Sequence, residues 1–218
     1  MIMIYGEEYS KNIEKLLLCQ KHINDLSELE GLYNLNYLAL EENEITDLSP
    51  LRSLTNLRTL FLCHNLIKDI SPVQKLTNLT MLSFWDNEIE DISPLYELSK
   101  LTHLGLGHNN VVDLTPMMGL KDLFETDLEH NHIKDISPLR GLSRLSNLYL
   151  SDNEIEDISP LAGLVNLKEL GLYQNNIEDL APLKGLTNLT KLELADNPLS
   201  NEQVEYLRLA LPNCTIVF

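Results

Sequence analysis

The sequence predicts an α/β solenoid, one elongated domain of short stacked repeats with a parallel sheet along one side. Three observations predict it. Asparagine recurs at steps of 22 residues, at Asn43, Asn65, Asn87, Asn109, Asn131, Asn153, Asn175 and Asn197. Ahead of each lies an alternation such as Leu60-x-Leu62, and behind it a proline-containing run such as Asp157-Ile158-Ser159-Pro160-Leu161. A fixed period of this length marks a repeat array, which grows by stacking and needs no single central core.

Each element of the repeat follows from its residues. Alternation puts Leu60 and Leu62 on one face and their neighbours on the other, so every repeat supplies one short strand. All repeats run the same way, so the strands pair in parallel, and each crossover needs a return segment on the far side of the core. That segment carries Pro50, Pro72, Pro94, Pro116, Pro138, Pro160 and Pro182. Proline removes an N–H donor and holds the preceding residue extended, which excludes a long α-helix there and leaves turns and 3₁₀ pieces. The Asp three residues before each proline is placed to accept N–H groups of the following turn.

The recurring Asn turns inward between Leu and Ile. Its buried amide must be satisfied, and one Asn per repeat at the same place lets each bond the turn backbone around and beside it. The leucines contribute most of the energy, roughly 1.5 to 3 kcal/mol for each fully buried side chain.

The ends break the pattern. Residues 1–12 precede the array and are expected to cap its first apolar edge. Ile13, Leu16, Leu18 and Ile23 fit the repeat but Lys21 stands where later repeats have Asn, so 13–34 is a degenerate first repeat. Regular repeats fill 35–200. A helix from Asn201 to Ala210 and a closing strand in the last residues form an expected C-terminal cap, 201–218. Thr126 occupies a core leucine position, either with its hydroxyl bonded to backbone or as a local bulge that re-aims Glu125 and Asp127.

Composition narrows the function classes. Hydrophobic residues make up 44% and charged residues 22%, as in ordinary folded domains. The formal charge of -17 repels nucleic acid and anionic membrane faces and favours basic partners. Part of it is architectural, because eight of the 33 acids, Asp25 to Asp179 at steps of 22, occupy one repeat position. Met1 to Glu8 lacks the basic and apolar segments of an export signal, and no apolar run reaches the length of a membrane span. A cytoplasmic monomer is expected, with secretion open if a signal was trimmed. Cys19 and Cys63 share a repeat position two strands apart, about 9 to 10 Å, beyond disulfide reach. With Cys214 at the far end, free thiols in a reducing compartment are expected.

The pattern L-x-x-L-x-L-x-x-N-x-I-x-D-[IL]-[ST]-P-L resembles the leucine-rich repeat family over nearly the whole chain. Within it, D-I-S-P-L at a 22-residue period is similar to the class found in bacterial internalins and in the leucine-rich regulatory subunit of protein phosphatase one. The resemblance implies a right-handed horseshoe with the parallel sheet on the concave face and 3₁₀ helices and loops on the convex face. It also implies that protein partners bind the concave face. Internalins carry a secretion signal, a helical cap and a following immunoglobulin-like domain, none of which is recognisable here, and the end of the chain is similar to the closing strand of intracellular arrays.

Function then belongs to the four outward positions of each strand region. Over the regular repeats these hold ten acids (Glu41, Glu42, Asp86, Glu125, Asp127, Glu129, Asp152, Glu169, Glu193 and Asp196) and one base, Lys191. Such a face steers a basic segment, or serves only as a solvated surface. Tyr37, Phe61 and Trp85 step two residues along successive strands and should form a continuous diagonal with spacings of about 8 Å. Tyr149 and Tyr173 repeat the device on the other side, and Gly105 and Gly107 leave a depression beside Asp127. Five of the 13 aromatic residues fall on this face, and exposed Trp and Tyr in a concavity are the usual anchors of a protein interface.

A column just before each Asn reads Glu42, His64, Asp86, His108, His130 and Asp152, with neighbours about 5 Å apart and with Glu129 and His103 expected close by. Metal binding is one reading, but a straight ladder does not converge on one ion as tetrahedral zinc requires. The others are a solvated ladder and a partner-binding rim whose charge falls as pH rises through the His range. Neither cofactor nor metal is expected. There is no nucleophile with a convincing base, no phosphate loop and no H-E-x-x-H, and nothing encloses acid pairs such as Asp127 and Glu129, so an enzyme is not expected. The expected partner-binding residues are Tyr37, Phe61, Trp85, His103, His108, Asp127, Glu129, His130, Tyr149 and Tyr173. A non-catalytic regulator, adaptor or inhibitor is the leading reading. A secreted adhesin fragment, a metal site and a purely structural array are the alternatives.

Overall fold

The computed structural model describes residues 1–218. One three-residue strand per repeat builds a ten-stranded sheet: β3 (Lys15–Leu17), β4 (Tyr37–Ala39), β5 (Thr59–Phe61), β6 (Met81–Ser83), β7 (His103–Gly105), β8 (Glu125–Asp127), β9 (Asn147–Tyr149), β10 (Glu169–Gly171), β11 (Lys191–Glu193) and β12 (Thr215–Val217). Neighbours from β3 to β11 pair in parallel at a constant offset of 22, as in Leu60↔Leu82 and Leu82↔Leu104, and β12 joins β11 at an offset of 24. Register cannot slip by one residue, because that would turn every core leucine to solvent. Leu60, Leu82, Leu104, Leu148 and Leu170 are all at most 2% exposed.

The returns are 3₁₀ turns of three to five residues, such as Ser159–Gly163, with proline in the first turn. Ser159 N–H donates to Asp157 Oδ1 at 2.8 Å and its hydroxyl lies 3.0 Å from Oδ2. The Asp sits one residue before the helical N-cap, Ile158, and so acts through a turn at its own second-next residue. Such contacts hold the Asp47, Asp113 and Asp157 carboxyls below the usual range, through the Ser49 and Ser159 backbone N–H groups and the Thr115 side chain. The turns are wider than a strand, so the array curves with the sheet inside.

The Asn ladder lies between strand and return. Asn153 Nδ2 donates to Leu150 O at 3.0 Å and to Leu128 O, one repeat back, at 2.9 Å, while its Oδ1 accepts from Ile133 N–H at 3.0 Å. Asn43 makes the same bonds into the first repeat, where Lys21 and Ile23 donate to it at 3.0 Å. The first repeat therefore needs no Asn of its own.

Strands β1 (Ile2–Ile4) and β2 (Glu7–Tyr9) form an antiparallel hairpin outside the large sheet. Ile4 is fully buried against the first repeats, and the Tyr5 hydroxyl donates to Asp25 O at 2.6 Å. At the other end α1 (Asn201–Ala210) starts on a capping box of Ser200 and Gln203, buries Val204 and Leu207, and leads to β12 beside β11. Thr126 is fully buried, and its hydroxyl donates to Leu104 O of the preceding repeat at 3.0 Å. The ladder runs unbroken through it, Leu104↔Thr126↔Leu148, so there is no bulge. Cys19, Cys63 and Cys214 are free.

Candidate functional site on the concave face

The column before each Asn has a backbone cause that the spacing alone did not reveal. Glu42, His64, Asp86, His108, His130 and Asp152 all have positive φ, at 55°, 54°, 56°, 53°, 50° and 53°. This left-handed region is strained for most L-residues, and Asp and His are among the types that tolerate it. The abundance of His and Asp there is therefore first a consequence of chain geometry. The sequence carries this signal as a residue preference at one repeat position.

Side chains in the column do pair. His64 Nδ1 lies 2.7 Å from Asp86 Oδ2, His130 pairs with Asp152, and the His108 and His130 rings stack at 3.9 Å. Burial, and then His130, hold His108 below the ordinary His value. No group of three or more His, Cys, Asp or Glu side chains converges as a metal ion would require. His103 lines the same hollow as Trp85 and His64 of the column. It lies on β7, where Nδ1 is 2.9 Å from Thr102 Oγ1 and the ring tilts against Phe124 at 5.9 Å.

The aromatic diagonal is interrupted. Tyr37 and Phe61 meet edge to face at 5.8 Å, with Lys15 Nζ 4.3 Å above the Tyr37 ring. Phe61 has no ring contact with Trp85. Trp85 instead stands edge to face between His64 at 4.8 Å and His108 at 4.4 Å, so the ring contacts run beside the column as His64, Trp85, His108, His130. The reason is that residues just before the Asn project beside one another on neighbouring strands, whereas a diagonal step adds two residues of strand length. Tyr149 and Tyr173 make no ring contact either. The Tyr149 hydroxyl donates to Glu169 Oε2 at 2.9 Å, and burial followed by that bond raises its pKa. Tyr173 is exposed, and its bond to Asp196 raises its pKa.

Of the two glycines only Gly105 lines the depression, and a Cβ there would stand 2.5 Å from Ser83 Oγ. Phe61, Cys63, Met81, Ser83, Trp85, His103, Gly105, Glu125 and Asp127 line a hollow of about 400 Å³ over β5 to β8. At Gly107 the space is already taken, since a Cβ there would stand 2.7 Å from both Trp85 Nε1 and Asp127 Oδ1. Cys63, Met81 and Ser83 were not anticipated as part of the site. They occupy the same outward positions as the aromatic and acidic residues, and writing out every residue type at those positions would have found them.

Asp127 is the perturbed acid of this hollow. Burial raises its pKa to about 6, opposed by the Glu129 backbone N–H, which donates to Oδ1 at 3.0 Å, and reinforced by the Glu129 charge. Glu129 leans over the next glycine, with Oε1 3.3 Å from where a Cβ on Gly171 would sit.

A strand, an Asn ladder and a proline turn repeated at 22 residues, with a half-open acidic concavity, define a repeat-array class whose members generally mediate protein–protein contacts. The chain belongs to the leucine-rich repeat family: the model for Leucine Rich repeats (2 copies) matches residues 33–75, 55–97, 77–117, 127–163 and 165–210. Among solved structures it is similar to the internalin inlF of Listeria monocytogenes, with 34% identity, a TM-score of 0.79, and coverage of 95% of this chain and 67% of that one. The internalin inlC2 of the same organism is 32% identical at a TM-score of 0.81, covering 88% of this chain and 82% of that one. A leucine-rich repeat protein of Leptospira interrogans is 27% identical at 0.73, with coverage of 89% and 57%. No curated protein sequence matches significantly. The resemblance read from D-I-S-P-L is thus shown at the level of an internalin-like leucine-rich repeat protein. No helix is long and apolar enough to cross a membrane.

Proposed function

We propose that the chain is a non-catalytic recognition module, a regulator, adaptor or inhibitor that grips a basic or mixed protein surface in its concave face. The observation that carries this reading is Trp85, half-buried between His64 and His108 on a face with ten acids and one base. A flat, partly desolvated aromatic in a hollow with the unpaired Glu125 and Asp127 suits a protein interface, with the indole as anchor and the acids as steering field. The same field opposes nucleic acid. The module works as a monomer in a reducing compartment, with 1–12 and 201–218 sealing its ends.

The test is affinity capture with the intact chain and with Trp85→Ala and Tyr149→Ala. Loss of a captured partner by about ten-fold or more in either variant supports the reading. A partner held at full affinity by both would place binding elsewhere. The likeness to inlF and inlC2 favours a second reading, an exported internalin-like adhesin, for which the captured partner would be a host surface protein.

A further inference from the structure

We infer that the hollow over Gly105 receives one guanidinium side chain, an arginine of the partner, between the Trp85 indole and the Glu125 and Asp127 carboxylates. The inference rests on the concave-face reading and gives that face a chemistry.

The walls divide by character. Phe61, Met81 and Trp85 supply apolar and aromatic surface, suited to a methylene stem and to a cation over a ring. Beside them, Glu125 and Asp127 lie two residues apart on β8, both on the hollow's lining and both half-buried. Each has one protein donor: Asn147 Nδ2 reaches Glu125 Oε2 at 3.0 Å, and the Glu129 N–H reaches Asp127 Oδ1 at 3.0 Å. Glu125 Oε1 and Asp127 Oδ2 have none. No ion pair in the molecule involves either acid.

Half-buried carboxylates without a counter-charge are a cost to the free protein, and an arriving cation removes it. A planar guanidinium serves two acids at once and stacks on indole, which an ammonium does less well. Gly107 is part of the design. A side chain there would push Trp85 and Asp127 apart, since its Cβ would stand 2.7 Å from each.

The chain has a single tryptophan, so its fluorescence reports on this hollow alone. N-acetyl-arginine amide titrated at pH 8 should change that fluorescence saturably, with a Kd of about 1 to 10 mM for one isolated side chain. N-acetyl-citrulline amide, similar in shape but neutral, should bind at least about ten-fold more weakly. Asp127→Asn, Glu125→Gln and Gly107→Ala should each weaken the arginine probe, while the exposed Glu44→Gln should not. Circular dichroism checks the fold of Gly107→Ala, and the two acid variants decide the matter if it fails to fold. Equal binding of arginine and citrulline, no saturable change, or full affinity in both acid variants would overturn the inference. If the probe fails but Trp85→Ala still releases a captured partner, the concave reading stands and the arginine pocket falls.

Discussion

Asn153 follows Leu128 by 25 residues, yet its Nδ2 donates to the Leu128 carbonyl at 2.9 Å. The same amide accepts from Ile133 N–H, so one buried side chain ties two repeats together at their tightest bend. Asn153→Ala should lose about 2 to 4 kcal/mol in urea unfolding, because the Ile133 N–H is left buried without a partner and the Leu128 and Leu150 carbonyls each lose one of two amide donors, keeping only Asn131 and Asn175. Asn176→Ala, adjacent to the ladder residue Asn175 but exposed, should change stability by less than about 0.5 kcal/mol. Equal effects at the two positions would contradict the ladder.

Leu148 is fully buried at the centre of the sheet. Leu148→Ala should cost about 2 to 5 kcal/mol, the range for a core truncation that leaves a cavity. A loss under about 1 kcal/mol in the same unfolding measurement would mean the surrounding repeats collapse into the space.

Asp127 gives a pH-dependent prediction. Its folded pKa of about 6 lies above the unfolded value of 3.8. The group therefore contributes stability that is fully present below 3.8 and is lost as pH rises through about 6. Asp127→Asn, which keeps an oxygen for the Glu129 N–H, should be more stable than the parent at pH 8 by about 1 to 2 kcal/mol after allowance for solvent screening. Thermal melts at pH 4 should show that advantage gone. An advantage independent of pH would point to a cause other than ionisation.

The left-handed column can be tested away from the hollow. Glu42 has φ 55° and an exposed side chain. Glu42→Gly should stabilise the array or leave it unchanged, within about 1 kcal/mol, whereas Glu42→Val should cost about 1 to 2 kcal/mol, because a β-branched residue is poorly accommodated there. If valine is tolerated as well as glycine, the backbone does not hold that conformation in solution.

Most of the scaffold was legible because it is written in local, periodic rules. Leucine spacing, proline placement and the Asp before each turn act within one repeat or between adjacent repeats, and repetition every 22 residues makes each rule visible seven or eight times over. Thr126 was legible as an exception but not in its outcome, since whether a hydroxyl finds a carbonyl depends on the neighbouring strand, here Leu104.

The site was legible only as a set of positions. The sequence by itself determined which residues face the concavity, that the face is acidic, and that Trp85 lies on it. The tertiary structure alone decided that Trp85 meets His64 and His108 edge to face, with no ring contact to Phe61, that His103 bonds Thr102 and tilts against Phe124, and that Asp127 is buried enough to shift. The physical reason is that core leucines are placed by periodicity, whereas outward side chains are placed by rotamer, backbone φ and the bulk of unlike neighbours one repeat away. Those neighbours differ from copy to copy, and their contacts exist only once the copies are stacked.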